Sequence, residues 1–242
     1  MVMSPVASRT KTKTLVVSIH QPEHLPWLGF FDKLRRSDVF VLLDNVQYRK
    51  NYFQNRNKIR TATGWQWLTV PVMRRSLGKP ICEVMVDQHH DWRRASWTAI
   101  QQHYHRAPYW VRYAPFLEQL YAQAWERLVD LNCAIIQWMV AQLGLTTTLV
   151  RGSDLSSTGR ASDLLLGQCQ ELGATTYLSG PFGRAYLDGQ VFERAGIAVQ
   201  FHEFRHPVHP QVYPSFEPSM STVDLLLNMG PDSLSVIEEA NR

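Results

Sequence analysis

The run Val39-Phe-Val-Leu-Leu43 is apolar at every position. A strand with one face in water alternates polar and apolar residues, so a run with no polar position needs packing on both faces, as in the inner strands of a parallel sheet. The run stops at Asp44-Asn45, which are turn formers. Upstream, Leu15-Val-Val-Ser-Ile19 is a second β-branched run, and it ends at His20-Gln21-Pro22, where proline removes a backbone donor. Between the two, Leu25, Leu28, Phe31 and Leu34 recur at helical spacing over Leu25 to Arg36, with Pro26 in the first turn, where proline is tolerated. Strand, helix and strand within about thirty residues predict a βαβ unit with a right-handed crossover.

The remainder continues the alternation. Gln47 to Gly64 is polar and without periodicity; Trp65 to Val72 reads as a third strand, with Pro71 suggesting an edge or bulge, and Ile81 to Val86 as a short further one. Trp92 to Leu143 is mainly helical, with one helix near Arg93 to His105, a break at Ala107-Pro108 and two helices between Val111 and Leu143, the last ended by Gly144. Strands are expected at Thr146 to Arg151, Thr176 to Leu178 and Ile197 to Glu203, and helices at Ser162 to Leu172, Gly189 to Ala195, Val223 to Asn228 and Pro231 to Glu239. This order predicts an α/β fold: a mainly parallel sheet in a three-layer α/β/α, Rossmann-like arrangement, with an inserted helical segment near residues 92–143. No repeat or low-complexity linker divides it, so residues 15–242 form one expected domain after a disordered leader at residues 1–14.

With 242 residues, such a domain buries roughly three quarters of its unfolded surface and needs neither disulfide nor metal. Cys82, Cys133 and Cys169 are odd in number and form no CxxC pair, so they read as reduced thiols. No apolar run approaches the roughly 18 residues of a membrane span. The formal charge of +4 includes Arg9, Lys11 and Lys13 of the leader, leaving the rest near neutral; on charge alone nucleic acid is not an expected partner.

Four polar constellations are candidates for chemistry. Ser18-Ile-His-Gln-Pro-Glu-His24 follows a strand end, where ligands of open α/β sheets sit, and places His20 as a general base or acid with Gln21 beside it; His24 either joins it or merely begins the helix. Asp44 to Lys58 is rich in amide and cationic donors. There Asp44 is the natural orienter of a histidine, while Asn45, Gln47, Arg56, Asn57 and Lys58 suit a phosphate or carboxylate. In Leu178 to Leu187, glycines at 180 and 183 let backbone amides approach a ligand at Ser179-Gly180, with Arg184 and Tyr186 within reach. The segment Phe201 to Gln211 carries His202, His206 and His209, two of them followed by proline; no metal-binding spacing occurs, so His206 is expected to line the cleft and no metal is expected. Aromatic and basic residues interleave near Tyr48 to Phe53, which leaves a tRNA reading open.

Ile-His-Gln-Pro at 19–22, Leu-Pro-Trp-Leu-Gly-Phe-Phe at 25–31, Asp-Asn-Val-Gln-Tyr at 44–48, Gln-Asn-Arg-Asn-Lys-Ile at 54–59, Trp-Leu-Thr-Val-Pro-Val at 67–72, Tyr-Leu-Ser-Gly at 177–180, Ala-Tyr-Leu at 185–187 and Ser-Thr-Val-Asp-Leu-Leu at 221–226 together resemble the WbqC-like family. The resemblance runs over nearly all of Leu15 to Arg242. It implies a bacterial protein of surface-polysaccharide or secondary-metabolite biosynthesis, where passing a glycyl or other acyl unit to an amine has been suggested for such proteins. His24 departs from the family pattern, in which an aromatic such as tyrosine is expected, and its catalytic claim is the weaker for it.

The expected function is therefore a cytoplasmic transferase that forms an amide from an activated acyl or aminoacyl donor, free or carrier-bound, and an amine acceptor. His20 would act as base, Asp44 would orient it, and Gln21, Asn57 or Arg56 would steady the oxyanion. No nucleophile elbow is present, which favours direct transfer. An ATP-dependent nucleotidyl-transferase or ligase, with His20 on a phosphate, and a non-catalytic carrier- or partner-binding module are the alternatives. The sequence names no cofactor.

Overall fold

A computed structural model describes residues 14–242; apart from Thr14, the leader expected at residues 1–14 lies outside the described residues. In chain order the elements are β1 (Val16–His20), α1 (Leu28–Arg35), β2 (Val39–Leu42), β3 (Arg56–Thr61), β4 (Gly64–Thr69), α2 (Trp92–Tyr104), α3 (Trp110–Ala122) and α4 (Leu128–Gln142). They continue with β5 (Thr148–Arg151), α5 (Ala161–Glu171), β6 (Thr176–Ser179), α6 (Gly189–Arg194), β7 (Ala198–Phe201), α7 (Thr222–Met229) and α8 (Ser233–Ala240). Five strands form a sheet in the order β5-β2-β1-β6-β7, and every pairing in it is parallel.

The apolar strand runs lie where their patterns require. Val17 and Ile19 of β1 pack with Val41, Leu165, Cys169, Tyr177 and Phe192 in the core under α5 and α6. Phe40 and Leu42 turn to the other face and join Leu28, Phe30, Phe31 and Leu34 of α1 in the larger core, to which α2, α3, α4 and α7 also contribute. Helices thus cover both faces of the sheet. No helix among the described residues is long and apolar enough to cross a membrane.

The polar segment before Trp65 departs from expectation. β3 lies inside it and pairs antiparallel with β4 from Arg56↔Thr69 to Thr61↔Gly64, making a two-stranded ribbon apart from the main sheet. Its alternation is hidden in sequence because one inward residue is Asn57, wholly buried beside Ile59, so a hydrophobic period of two never emerges. Ile81 to Val86 is not a strand either. Ile81–Glu83 form a single 3-10 turn after Pro80, and the backbone N–H groups of Ile81 and Cys82 bond to the carbonyls of Val46 and Asp44 instead of to a sheet.

The C-terminal segment is tied in by a buried carboxylate. Asp224 of α7 accepts hydrogen bonds from Tyr104 Oη (3.0 Å), His209 Nε2 (2.9 Å) and Gln211 Nε2 (2.8 Å). Tyr104 Oη also accepts the backbone N–H of Arg60 on β3 at 2.8 Å. One side chain therefore joins the ribbon, α2, the loop before α7 and α7 itself. Asp224→Ala strands these buried donors and is expected to cost about 3 kcal/mol in urea unfolding, whereas Arg94→Ala, at an ion pair on the surface, should cost less than about 0.5 kcal/mol.

Candidate functional site

β1 is the central strand. The chain leaves it towards β2 and β5 on one side and returns to β6 and β7 on the other, so the crevice between the carboxyl ends of β1 and β6 is the topological switch point of the sheet. His20, the last residue of β1, stands there on the α1 face. Its ring meets Phe30 edge-on at 5.1 Å between centroids. Nδ1 lies 3.0 Å from the Gln21 carbonyl oxygen. That oxygen can only accept, so Nδ1 carries the proton and Nε2 keeps a lone pair. Glu23 Oε1 is 3.9 Å from Nε2, and among the described residues Glu23 Oε2 has no hydrogen-bond partner.

Below the histidine, Lys33 Nζ donates to the Ile19 carbonyl at 2.9 Å. α1 is buried on nearly every side, so Lys33 has no route to water, and the environment drives this group of side chains towards their neutral forms. Burial, reinforced by the Lys33 charge, pushes His20 down to about 3. Burial lifts the Glu23 carboxyl to about 8, against an opposing pull from Lys33, and lowers Lys33 to about 7 against the pull of Glu23. The His20 side chain keeps 29% of its surface exposed, so it presents a neutral imidazole to the crevice at ordinary pH.

A fixed anion lies behind the cluster. His202, just after β7, donates from Nε2 to Asp32 Oδ2 at 2.6 Å, and Arg35 and Arg36 reach the same carboxylate at 2.8 Å and 3.0 Å. Burial raises the Asp32 pKa, but the His202 hydrogen bond and the two guanidiniums outweigh it and leave it below its ordinary value. Asp32 thereby ties the end of β7 to α1.

The WbqC-like protein family matches residues 21–236. The chain belongs to this family. It is also 33% identical over 220 residues to the uncharacterized protein Rv1507c of Mycobacterium tuberculosis (strain ATCC 25618 / H37Rv), covering 90% of this chain and 95% of that one. No solved structure matches.

In this WbqC-like protein the expected site residues divide. Gln21 stands beside His20, and its Oε1 accepts from Gln54 Nε2 at 2.7 Å. Asp44 is no orienter of His20: its carboxylate is wholly buried and accepts from Arg151 Nε (2.8 Å), Ser153 N (2.7 Å) and Ser153 Oγ (2.9 Å). Two parallel strands end side by side, but the Asp44 side chain turns to β5, where Arg151 supplies a charge that neutral His20 lacks. Asn45 Nδ2 bonds to the Gly152 carbonyl. Asn57 is also withdrawn, since its Nδ2 donates to the Leu25 carbonyl and its Oδ1 accepts from Lys58 N; it holds the ribbon against the loop after His20. Gln47 is exposed, and Arg56 and Lys58 point from the outer ribbon face over Trp67 and Trp65.

Ser179 ends β6 next to β1 but is buried, with its Oγ directed at the Gly180 carbonyl. The loop depends on Gly183 and not on Gly180: a Cβ on Gly183 would lie 2.1 Å from Ser179 Oγ, whereas one on Gly180 meets nothing within 4 Å. Arg184 pairs with Glu203 at 3.3 Å, and Tyr186 is exposed on the same loop. His206 does not line the cleft, because Nδ1 donates to the Pro207 carbonyl and Nε2 accepts from Ser219 N. His24 is wholly buried, with Nε2 3.3 Å from Tyr121 Oη. Beyond Asp44 a separate open cleft of about 750 Å3 is lined by residues including Arg75, Lys79, Arg127 and Arg151. Among the described residues no three His, Cys, Asp or Glu side chains converge as metal ligands.

Glu23, Lys33 and the Asp32–His202 pair were not singled out by sequence reasoning. The available signal was weak, an Asp-Lys pair set between Phe30-Phe31 and Leu34 in a short helix; the structure buries every residue from Leu28 to Leu34. The folded Glu23 carboxyl holds its proton to about pH 8 and the unfolded one only to about 4.5, so the native state binds more protons and Glu23 erodes stability as pH rises through that interval. Glu23→Gln removes this loss. The stability of Glu23→Gln relative to wild type should climb from pH 4.5 to about 8, as read from urea midpoints at each pH.

Proposed function

We propose that the protein is a transferase that forms an amide by passing an acyl or aminoacyl (glycyl-like) unit from an activated ester or thioester to an amine. The observation carrying this reading is His20: a neutral imidazole, tautomer set by the Gln21 carbonyl, with its Nε2 lone pair open at the switch point of the sheet. As the amine nitrogen bonds to the donor carbonyl carbon, that nitrogen becomes far more acidic, so a weakly basic imidazole suffices to take its proton at Nε2. The carbon–oxygen or carbon–sulfur bond of the donor then breaks and His20 returns the proton to the leaving atom. Atoms and charge balance without ATP or another co-reactant.

Gln21 supports the same step. Its oxygen is held by Gln54, which leaves its amide N–H groups as donors for the oxyanion that develops on the donor carbonyl. The neutral Glu23 carboxyl keeps a full negative charge from competing for that proton. Placement in bacterial surface-polysaccharide or secondary-metabolite biosynthesis, in the cytoplasm where activated donors are made, is supported by the family membership and belongs to the same proposal.

The test is an amide-formation assay with ester and thioester donors, with and without ATP. His20→Ala should lower turnover roughly 100-fold to 10,000-fold with little change in KM, and wild-type kcat/KM should show no protonation step of His20 between about pH 5 and 8. Full activity in His20→Ala sinks the mechanism, and strict dependence on ATP favours an adenylating enzyme.

A further inference from the structure

Between Asp44 and Glu83 the chain contains no acidic residue, while Arg49, Lys50, Arg56, Lys58 and Arg60 fall in its first half. The near-neutral charge of the whole chain conceals this segregation. On the outer face of the β3–β4 ribbon the cations alternate with rings. The Arg56 guanidinium lies 4.3 Å from the Trp67 ring centre and Lys58 Nζ 4.0 Å from that of Trp65; Arg49 sits 4.7 Å over Tyr52 in the preceding loop. The rings themselves form a row: Tyr52 to Phe53 at 5.2 Å, Phe53 to Trp67 at 6.2 Å and Trp67 to Trp65 at 5.5 Å. Among the described residues none of Arg49, Arg56 and Lys58 forms an ion pair with an acid, and Trp65 (41%) and Tyr52 (37%) remain exposed.

The row leads to the crevice. Phe53 accepts the backbone N–H of His24 at 2.9 Å, and Gln54 bridges Gln21 and Arg49 N, both at 2.7 Å. These bonds fasten the loop carrying Tyr52 and Phe53 to the segment that follows His20. A neutral glycan would use the rings and leave the cations without purpose, and an acidic protein would use the cations and leave the row of rings. A single-stranded nucleic acid offers phosphates and flat bases in turn, and cations two residues apart on a strand stand roughly 7 Å apart, suited to successive phosphates of an extended chain.

We propose that this ribbon face binds a single-stranded RNA end, and, resting on the transferase reading above, that the activated donor is an aminoacyl ester on that RNA terminus. Transfer then forms the amide nitrogen–carbon bond and breaks the ester carbon–oxygen bond, and the ribose hydroxyl leaves with the proton from His20. The probe is a fluorescein-labelled single-stranded RNA of about twelve nucleotides, followed by anisotropy against salt concentration, with duplex DNA, heparin and an acidic acyl-carrier protein as competitors. The RNA is expected to bind in preference to all three. Trp65→Ala should weaken it roughly tenfold or more, and Arg56→Gln with Lys58→Gln should weaken it and reduce the salt slope by about two. Urea midpoints of the variants check that these outer-face changes leave the fold intact.

Equal binding of heparin or duplex, or indifference to Trp65→Ala, overturns the proposal, as does preference for the acidic protein. RNA binding of the expected kind without any aminoacyl transfer would leave the ribbon assignment standing and remove the transferase reading. Amide formation from a free thioester by a protein that ignores RNA would do the reverse.

Discussion

Lys33 is held with its ammonium nitrogen against the Ile19 carbonyl, inside a helix that packs into the core on nearly all sides. Burying an amine there is costly unless it sheds its charge or shares it, and the groups around it are arranged to meet that constraint. Glu23 supplies the opposing carboxyl, His20 stays unprotonated, and Asp32, one residue along the same helix, is neutralised by His202 and two arginines. The cluster fastens α1 to the end of β1 at the point where the sheet changes direction. Polar groups kept this dry contribute little to stability, because a hydrophobic replacement of the same shape would hold the helix as well.

The amides of the Asp44 to Lys58 segment do a different job from the one their composition suggests. Asn57, Asn55 and Gln54 spend their hydrogen bonds on Leu25, Val70, Gln21 and Arg49, and Asn132 of α4 reaches the Gln54 carbonyl at 2.8 Å. A polar loop lying on a site is rigid only if its backbone groups are satisfied, and these side chains satisfy them. The cations of the same segment point the other way, to the outer ribbon face. One stretch of chain thus makes both the inner brace of the crevice and an electropositive aromatic surface beside it, by the period of two in a strand.

Much of the architecture was legible in local pattern. The apolar run at Val39, the β-branched run before His20 and the helical spacing of Leu25, Leu28, Phe31 and Leu34 predicted β1, α1 and β2, and helix ends such as Gly144, at φ +65, were marked by residue type. The position of His20 and Gln21 at a strand end was legible for the same reason; that this strand is the central one was not. β4 was legible too, within the strand expected at Trp65 to Val72, but β3 was not, because its inward positions include Asn57 and its outward ones are charged.

What the sequence by itself determined, then, is what depends on neighbours along the chain: which segments are strand or helix for most of its length, that the sheet is mainly parallel, and that His20 follows a strand run. Only the tertiary structure decided the partners. Asp44 turned to Arg151 and Ser153 across the β2–β5 pair, His202 found Asp32, His209 found Asp224, and Lys33 became a buried amine. Each of these pairings joins residues far apart in sequence except where burial alone is at issue. The cost of leaving a buried charge or donor unmatched is set by the whole fold around it, and no local pattern of residue types records it.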